Sequence, residues 1–365
     1  MNEIANKLNN ISTEKYNISL GFDGYVDEII SAVSTRTDIN NFTPINTITQ
    51  FGNRILSAAG KSTNVELHTN HFKLGGNGPI MGNSIAAIGS PVNYIGALGF
   101  PHIHDVFKSL NEKFKQISIS EPGHTRAVEF DDGKIMFGKL AMTDLTWNRI
   151  IECVPEKELQ SFFTDCDLLG MVNWTQTPYM TDIWSHLIDN YLPSLNFNNK
   201  KPYLFIDLAD PEKRSPEDII TMLKLLSGFE KFYKVILGLN EKESYEIAEA
   251  LKISSTNKDS IGLQSIAKNI QEKLKITVCV IHPVKFAVCS FNGKTYSQEG
   301  PYVPNPLIST GAGDHFNAGF AFGLMAGLTP HESLLLGVSN SGYYVRTAKS
   351  ASLTDLKNFI NDWQK

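Results

Sequence analysis

The chain has 365 residues, 42% of them apolar and 19% charged, a balance that allows a sizeable core and excludes wholesale disorder. Its formal net charge of -5 argues against nucleic acid or an anionic membrane as a ligand, since both select basic patches. No stretch approaches the ~18 uninterrupted apolar residues of a membrane span, and the polar segment from Met1 to Tyr16 lacks the apolar run of a signal peptide.

In chain order, residues 18–22 read as a short strand that runs into Gly21-Phe22-Asp23-Gly24-Tyr25-Val26-Asp27. Ile45, Ile48, Phe51 and Ile55 share one face of a helix expected over 45–59, and 65–74 alternates as a strand does. Gly75-Gly76-Asn77-Gly78-Pro79 then opens a small-residue helix that Gly89 closes, with a strand over 92–95. Two strand-like runs, 125–130 and 134–140, flank Asp131-Asp132-Gly133, a hairpin signal.

Beyond residue 150 the rhythm becomes strand, loop, helix. Strands are expected over 168–172, 203–206, 234–239, 277–281 and 287–291, with helices over 216–226, 241–251 and 260–274. Buried apolar strands alternating with helices predict an α/β fold with a mostly parallel, doubly wound sheet. One domain over 1–365 is expected, with a smaller sheet built from strands within about 25–35, 64–74 and 124–141. Ligands gather at the carboxyl ends of such strands, where Asn173, Asp207, Asn240 and His282 stand. Cys153, Cys166, Cys279 and Cys289 show no CxxC spacing and read as free core thiols in a reducing, cytoplasmic compartment.

The stretch with most chemical content is Ser309-Thr310-Gly311-Ala312-Gly313-Asp314, which leads into an apolar helix. Unpaired N–H groups and the helix dipole favour an anion at such a start, and the glycines let it approach the backbone. Asp314 there has two readings. It caps the helix, or it takes a proton from a substrate hydroxyl while the amides hold a phosphoryl group.

This segment, with Phe316 and Gly319, resembles the C-terminal signature of the ribokinase (PfkB-type) family of carbohydrate kinases. Gly75-Gly76 with Gly78, Gly89, Gly96 and Gly99 resembles that family's N-terminal glycine signature, and Asn240 with Glu243 matches its NxxE motif. The resemblance implies a three-layer αβα sandwich with a small β lid, and phosphoryl transfer from ATP to a sugar hydroxyl. It implies Asp314 as base and the amides of Gly311, Ala312 and Gly313 as anion hole. Asn240, Glu243, Thr310 and Asn340 would meet the nucleotide, with Glu243 serving Mg2+ through water. Asp27, Gly75, Gly76 and Asn77 would meet the sugar, and lid strands provide dimer contacts in relatives, so a homodimer is compatible with it.

The pattern has departures. Ser309 stands where the family has aspartate, and Ile80 where many members have an asparagine that contacts the sugar. The 281–286 loop lacks the usual Thr-x-Gly run, which leaves the phosphoryl donor open. No glycine lies in 346–351, which leaves a monovalent-cation site open. The competing readings are a non-catalytic sugar- or nucleotide-binding protein of the same fold, a nucleoside kinase, and a kinase with another donor.

Overall fold

The computed structural model describes residues 2–254, 257 and 259–363. The strands are β1 (Ile18–Gly21), β2 (Tyr25–Arg36), β3 (Phe42–Pro44), β4 (Leu67–Gly75), β5 (Val92–Gly96), β6 (Phe114–Ser118) and β7 (Gly123–Phe130). They continue as β8 (Gly133–Gly138), β9 (Leu168–Met171), β10 (Tyr203–Asp207), β11 (Lys234–Leu239), β12 (Val278–Ile281), β13 (Phe286–Phe291) and β14 (Lys294–Glu299).

The large sheet has the order β14-β13-β12-β11-β10-β9-β1-β5-β6. Every pairing from β6 to β12 is parallel. Its central strands are apolar on both faces because helices cover both. Val235, Leu237 and Leu239 point into one core layer with helices Pro216–Phe229 and Ser260–Leu274, while Ile236 points into the other. That second layer is closed by helices Asn77–Ile88, Ala312–Met325 and Pro330–Thr347. The result is a three-layer αβα sandwich, as the alternation of apolar strands and helices predicts.

One edge departs from the parallel rhythm. Strands β12, β13 and β14 pair antiparallel. Asn292 and Gly293, both at positive φ, turn β13 back into β14. That dipeptide is a hairpin signal, and the strand that follows it was not among those expected from the sequence.

The second sheet runs β3-β2-β7-β8, with β4 on the other side of β2. Strand β2 is parallel to β7 and antiparallel to β4. A small core of Ile30, Ala32, Ile45, Phe51 and Val128 lies under helix Ile48–Leu56, which is shorter than the 45–59 span. Thr47 sets its start, its side chain accepting the Gln50 amide. Among the described residues, no helix is long and apolar enough to cross a membrane.

Candidate active site

The carboxyl ends of β1, β9, β10 and β11 bring polar side chains to one rim of the large sheet. Just past β1, the Asp23 carboxylate is fully buried and collects four donors. The Asn77 amide reaches Oδ2 at 2.8 Å, the Gly78 amide Oδ1 at 2.9 Å, Asn173 Nδ2 reaches Oδ2 at 2.8 Å, and the Tyr94 hydroxyl Oδ1 at 3.2 Å. The two amides are the open start of helix Asn77–Ile88, where a carboxylate is favoured. Burial still outweighs these donors and pushes the Asp23 carboxyl up.

Asp23 thereby places the Asn77 side chain, which donates to Asp314 Oδ1 at 2.9 Å. Gly76, the residue before that helix, lies beside Asp23, and Gly75 packs against the Asp27 carboxylate. The Asn77 side-chain amide, expected at the sugar, is directed to Asp314 at the start of helix Ala312–Met325.

Asp314 sits in the first turn of helix Ala312–Met325 and is 8% exposed. Burial raises its carboxyl well above the usual carboxylate value, Asn77 lowers it, and the charges of Asp23 and Glu243 raise it further. Gly311, at φ 90°, precedes the helix in the left-handed region that favours glycine. The Ala312 amide is donated to the Ser309 carbonyl at 3.1 Å, which removes it from the expected trio of anion-binding groups. The Gly311 and Gly313 amides have no backbone acceptor among the described residues.

This turn lies between two cavities. Ser309 lines both. One cavity, of about 640 Å3, opens toward the small sheet and is lined by Asp27, Lys73, Glu129, Lys134 and Thr310. Lys134 crosses it from β8 and donates to Thr310 Oγ1 at 2.5 Å. Asp27 faces Lys73 across the β2–β4 pair. Burial raises the Asp27 carboxyl, and Lys134 and Lys73 pull it back. Arg126, on the same sheet, is held by Glu28 at 3.2 Å.

The other cavity, of about 380 Å3, is mostly apolar and includes Asn240, His282, Val284, Tyr302, Gly313 and Ser341. His282 stacks on Phe316 with ring centroids 4.7 Å apart, and burial lowers it to about 4, so the ring is neutral. Asn340 does not line this cavity. It is fully buried, and its Nδ2 donates to Ser84 Oγ at 2.8 Å and to the His315 carbonyl at 2.7 Å. The side chain ties two helices together, a role that its position one residue before Ser341 disguises in the sequence.

Asn240 and Glu243 form a capping box. Asn240 Oδ1 accepts the Glu243 amide at 2.9 Å, and Glu243 Oε2 accepts the Asn240 amide at 2.8 Å. Glu243 Oε1 takes the Asp210 amide at 3.0 Å. Both oxygens are thus engaged, and burial raises the carboxyl. Asp207, at the end of β10, is raised well above the usual value by burial and by the charges of Glu243 and Asp314. Its Oδ2 accepts from Asn317 Nδ2 at 3.1 Å, while Asp207 Oδ1 and Asn317 Oδ1 are buried without partners.

Among the described residues, no group of three or more His, Cys, Asp or Glu forms a complete metal cage. A magnesium ion needs none, since it usually takes one or two carboxylates and completes its shell with phosphate and water. The unpartnered Asp207 oxygen beside Glu243 fits that demand. Asp23, Asn317 and Lys134 were missed as site residues, because each acts through a contact distant in sequence.

Solved structures with this fold span nearly the whole chain. A carbohydrate kinase from Agrobacterium tumefaciens is 16% identical with a TM-score of 0.64, covering 95% of this chain and 97% of its own. Phosphofructokinase-2 from Escherichia coli, in complex with potassium, is 12% identical with a TM-score of 0.64, covering 96% and 99%. A Methanocaldococcus jannaschii nucleoside kinase described as an archaeal member of the ribokinase family is 12% identical with a TM-score of 0.60, covering 96% and 100%. The fold is that of a ribokinase-like carbohydrate kinase. Within that class, the family model for prokaryotic ketohexokinase matches residues 5–363, and the chain belongs to that family. The ketohexokinase of Haloferax volcanii is 26% identical over 352 residues, 95% of this chain and 91% of that protein.

Asp207 should cost stability. A carboxyl whose folded value is raised stabilises least at high pH, once it is forced to ionise among Glu243 and Asp314. Asp207→Asn is expected to raise the unfolding temperature by roughly 2 °C at neutral pH, with the gain growing as pH rises. Thermal scans across pH check this, and a variant that melts lower than the parent at every pH contradicts it.

Proposed function

We propose that this kinase transfers the γ-phosphoryl group of ATP to a hydroxyl of a ketohexose, with Asp314 as the general base. The observation that carries the reading is a buried carboxylate held by Asn77, one residue after a turn whose Gly311 and Gly313 amides are unengaged. Proton removal and stabilisation of phosphoryl charge then occur side by side. The name of the Haloferax volcanii relative supports a ketohexose as acceptor.

The sugar would enter the cavity under the small sheet, against Asp27, Gly75 and Gly76. Burial makes the Asp314 carboxylate a stronger base than one in water, and Asn77 fixes which oxygen faces the acceptor. The nucleotide would lie in the apolar cavity, its base among Val284, Tyr302 and Val345 and its phosphates toward Asn240, Thr310 and the Gly311–Gly313 turn. Asp207 would hold magnesium directly and Glu243 through water. The ion supplies charge neutralisation to the donor phosphates when bound.

The small sheet would serve as a lid. Lys134 reaches from it to the phosphate turn, so closure excludes water and brings a cation to the reacting group. Exposed Leu67, Phe72, Met136 and Phe137 on its strands suit pairing with a second copy. ATP and four free cysteines both suit a cytoplasmic setting.

Four outcomes are expected. Asp314→Asn lowers kcat by about a hundredfold or more in an ATP-consumption assay on ketohexoses. Full turnover in that variant removes Asp314 as base. In the parent, kcat/KM falls with falling pH along a limb centred above the ordinary carboxylate value of 3.8, because the ionised form is the base and burial raises its midpoint. A limb at or below that value rules out the raised carboxyl as the base. Lys134→Ala lowers kcat/KM by about tenfold while the unfolding temperature holds, and light scattering gives twice the chain mass. A monomer at assay concentration argues against the pairing, and an unchanged kcat/KM against the lid contact.

A further inference from the structure

The peptides of the phosphate turn are gripped from behind by the C-terminal part of the chain. Tyr344, on helix Pro330–Thr347, donates its hydroxyl to the Thr310 carbonyl at 3.1 Å. His315 Nδ1 lies 2.7 Å from the Gly311 carbonyl, and its Nε2 lies 3.0 Å from Ser350 Oγ. The two rings stack with centroids 3.7 Å apart and planes 14° from parallel. His315 is 2% exposed and Tyr344 7%.

A carbonyl oxygen only accepts, so Nδ1 carries the ring proton and Nε2 accepts from the Ser350 hydroxyl. Burial agrees with a singly protonated ring, lowering His315 to about 4. In a trans peptide the carbonyl and the following N–H point in opposite directions. Holding the Thr310 carbonyl therefore aims the Gly311 amide away from Tyr344. Holding the Gly311 carbonyl aims the Ala312 amide at Ser309, which closes the turn at 3.1 Å. The Gly311 carbonyl also accepts the His315 amide at 3.1 Å, and because Gly311, at φ 90°, has little intrinsic resistance to peptide rotation, the side-chain bonds add to the hold on the turn.

We infer that His315 and Tyr344 are positioning residues for phosphoryl transfer, a stacked pair that fixes the peptide planes of the phosphate turn. The inference rests on the reading of the Gly311 and Gly313 amides as phosphoryl-binding groups. Both side chains also line a cavity with Asp27, Lys73 and Thr310, and the role inferred for them is exerted through the turn. Tyr344 keeps the Gly311 amide aimed, and His315 keeps the Ala312 amide closing the turn on Ser309, both before the reaction begins, which is where preorganised dipoles gain their effect.

The test uses the full chain with Tyr344→Phe and His315→Phe, which keep a stacked ring and remove one hydrogen bond and two, respectively. Expected for each is a fall in kcat of about tenfold to a hundredfold, with the sugar KM within about twofold and the unfolding temperature close to the parent's. A second readout needs no turnover: calorimetric affinity for ADP with aluminium fluoride should weaken by about tenfold, while ADP alone binds as in the parent. Unchanged kcat and unchanged analogue affinity in Tyr344→Phe, which deletes a single oxygen, overturn the inference. So does a loss in which kcat, sugar KM and unfolding temperature all worsen together. Absence of turnover in the parent sinks the kinase reading instead, and the analogue affinities then still decide whether the pair fixes the turn.

Discussion

Asp23 lies fully buried at the end of the first strand with no cation beside it, and what makes that tolerable is the start of a helix. An isolated carboxylate in such a place would lose several kcal/mol of hydration. Two amides of helix Asn77–Ile88, the Asn173 side chain and the Tyr94 hydroxyl replace the lost water. The same bonds lock that helix to the rim of the large sheet. Asn77 is then fixed in place, and through it one oxygen of Asp314. Without Asp23, the acid of the phosphate turn would have no fixed partner.

The rim is built from carboxylates that raise one another. Asp23, Asp207, Glu243 and Asp314 are all pushed up by burial, and Asp207 and Asp314 also by their neighbours' charges. Such crowding is unfavourable to folding and useful to a phosphoryl transferase. On the proposed reading it would hold a base ready to accept a proton and favour arrival of a divalent cation with the nucleotide. The cations of the chain itself, Lys73 and Lys134, come from the small sheet and not from the rim. Positive charge therefore meets the phosphate turn where Lys134 touches Thr310, which joins the position of the small sheet to the electrostatics of the reaction.

How much of this can be read from the residues depends on how far each contact reaches along the chain. The αβα layers are legible because Val235 through Leu239 alternate between two cores while staying apolar throughout. The phosphate turn and the Asn240–Glu243 box are legible because each closes within a few residues. Asn77 to Asp314 and Lys134 to Thr310 are separated by 237 and 176 positions, and nothing in local pattern joins them. Asn340 shows the opposite error. A polar residue on a C-terminal helix beside the nucleotide cavity invites assignment to it, yet the helix turns it inward to Ser84 and the His315 carbonyl. The Asn292-Gly293 turn was legible, but the strand after it, Lys294–Glu299, is polar except for Tyr296 and gives little signal of its own.

The capping box shows why one motif can serve both folding and chemistry. Glu243 must be at the third helical position to reach back to the Asn240 amide, and that geometry also carries its other oxygen to Asp210. With an amide on each oxygen, the carboxylate keeps its outward lone pairs but cannot swing to embrace a metal ion directly. Its charge would therefore act on such an ion through an intervening water. Asp207 is the complement. One oxygen is fixed by Asn317 and the other is buried without a partner. A rigid charge beside a free ligand suits magnesium, which gives up few of its waters and needs those it keeps to be oriented.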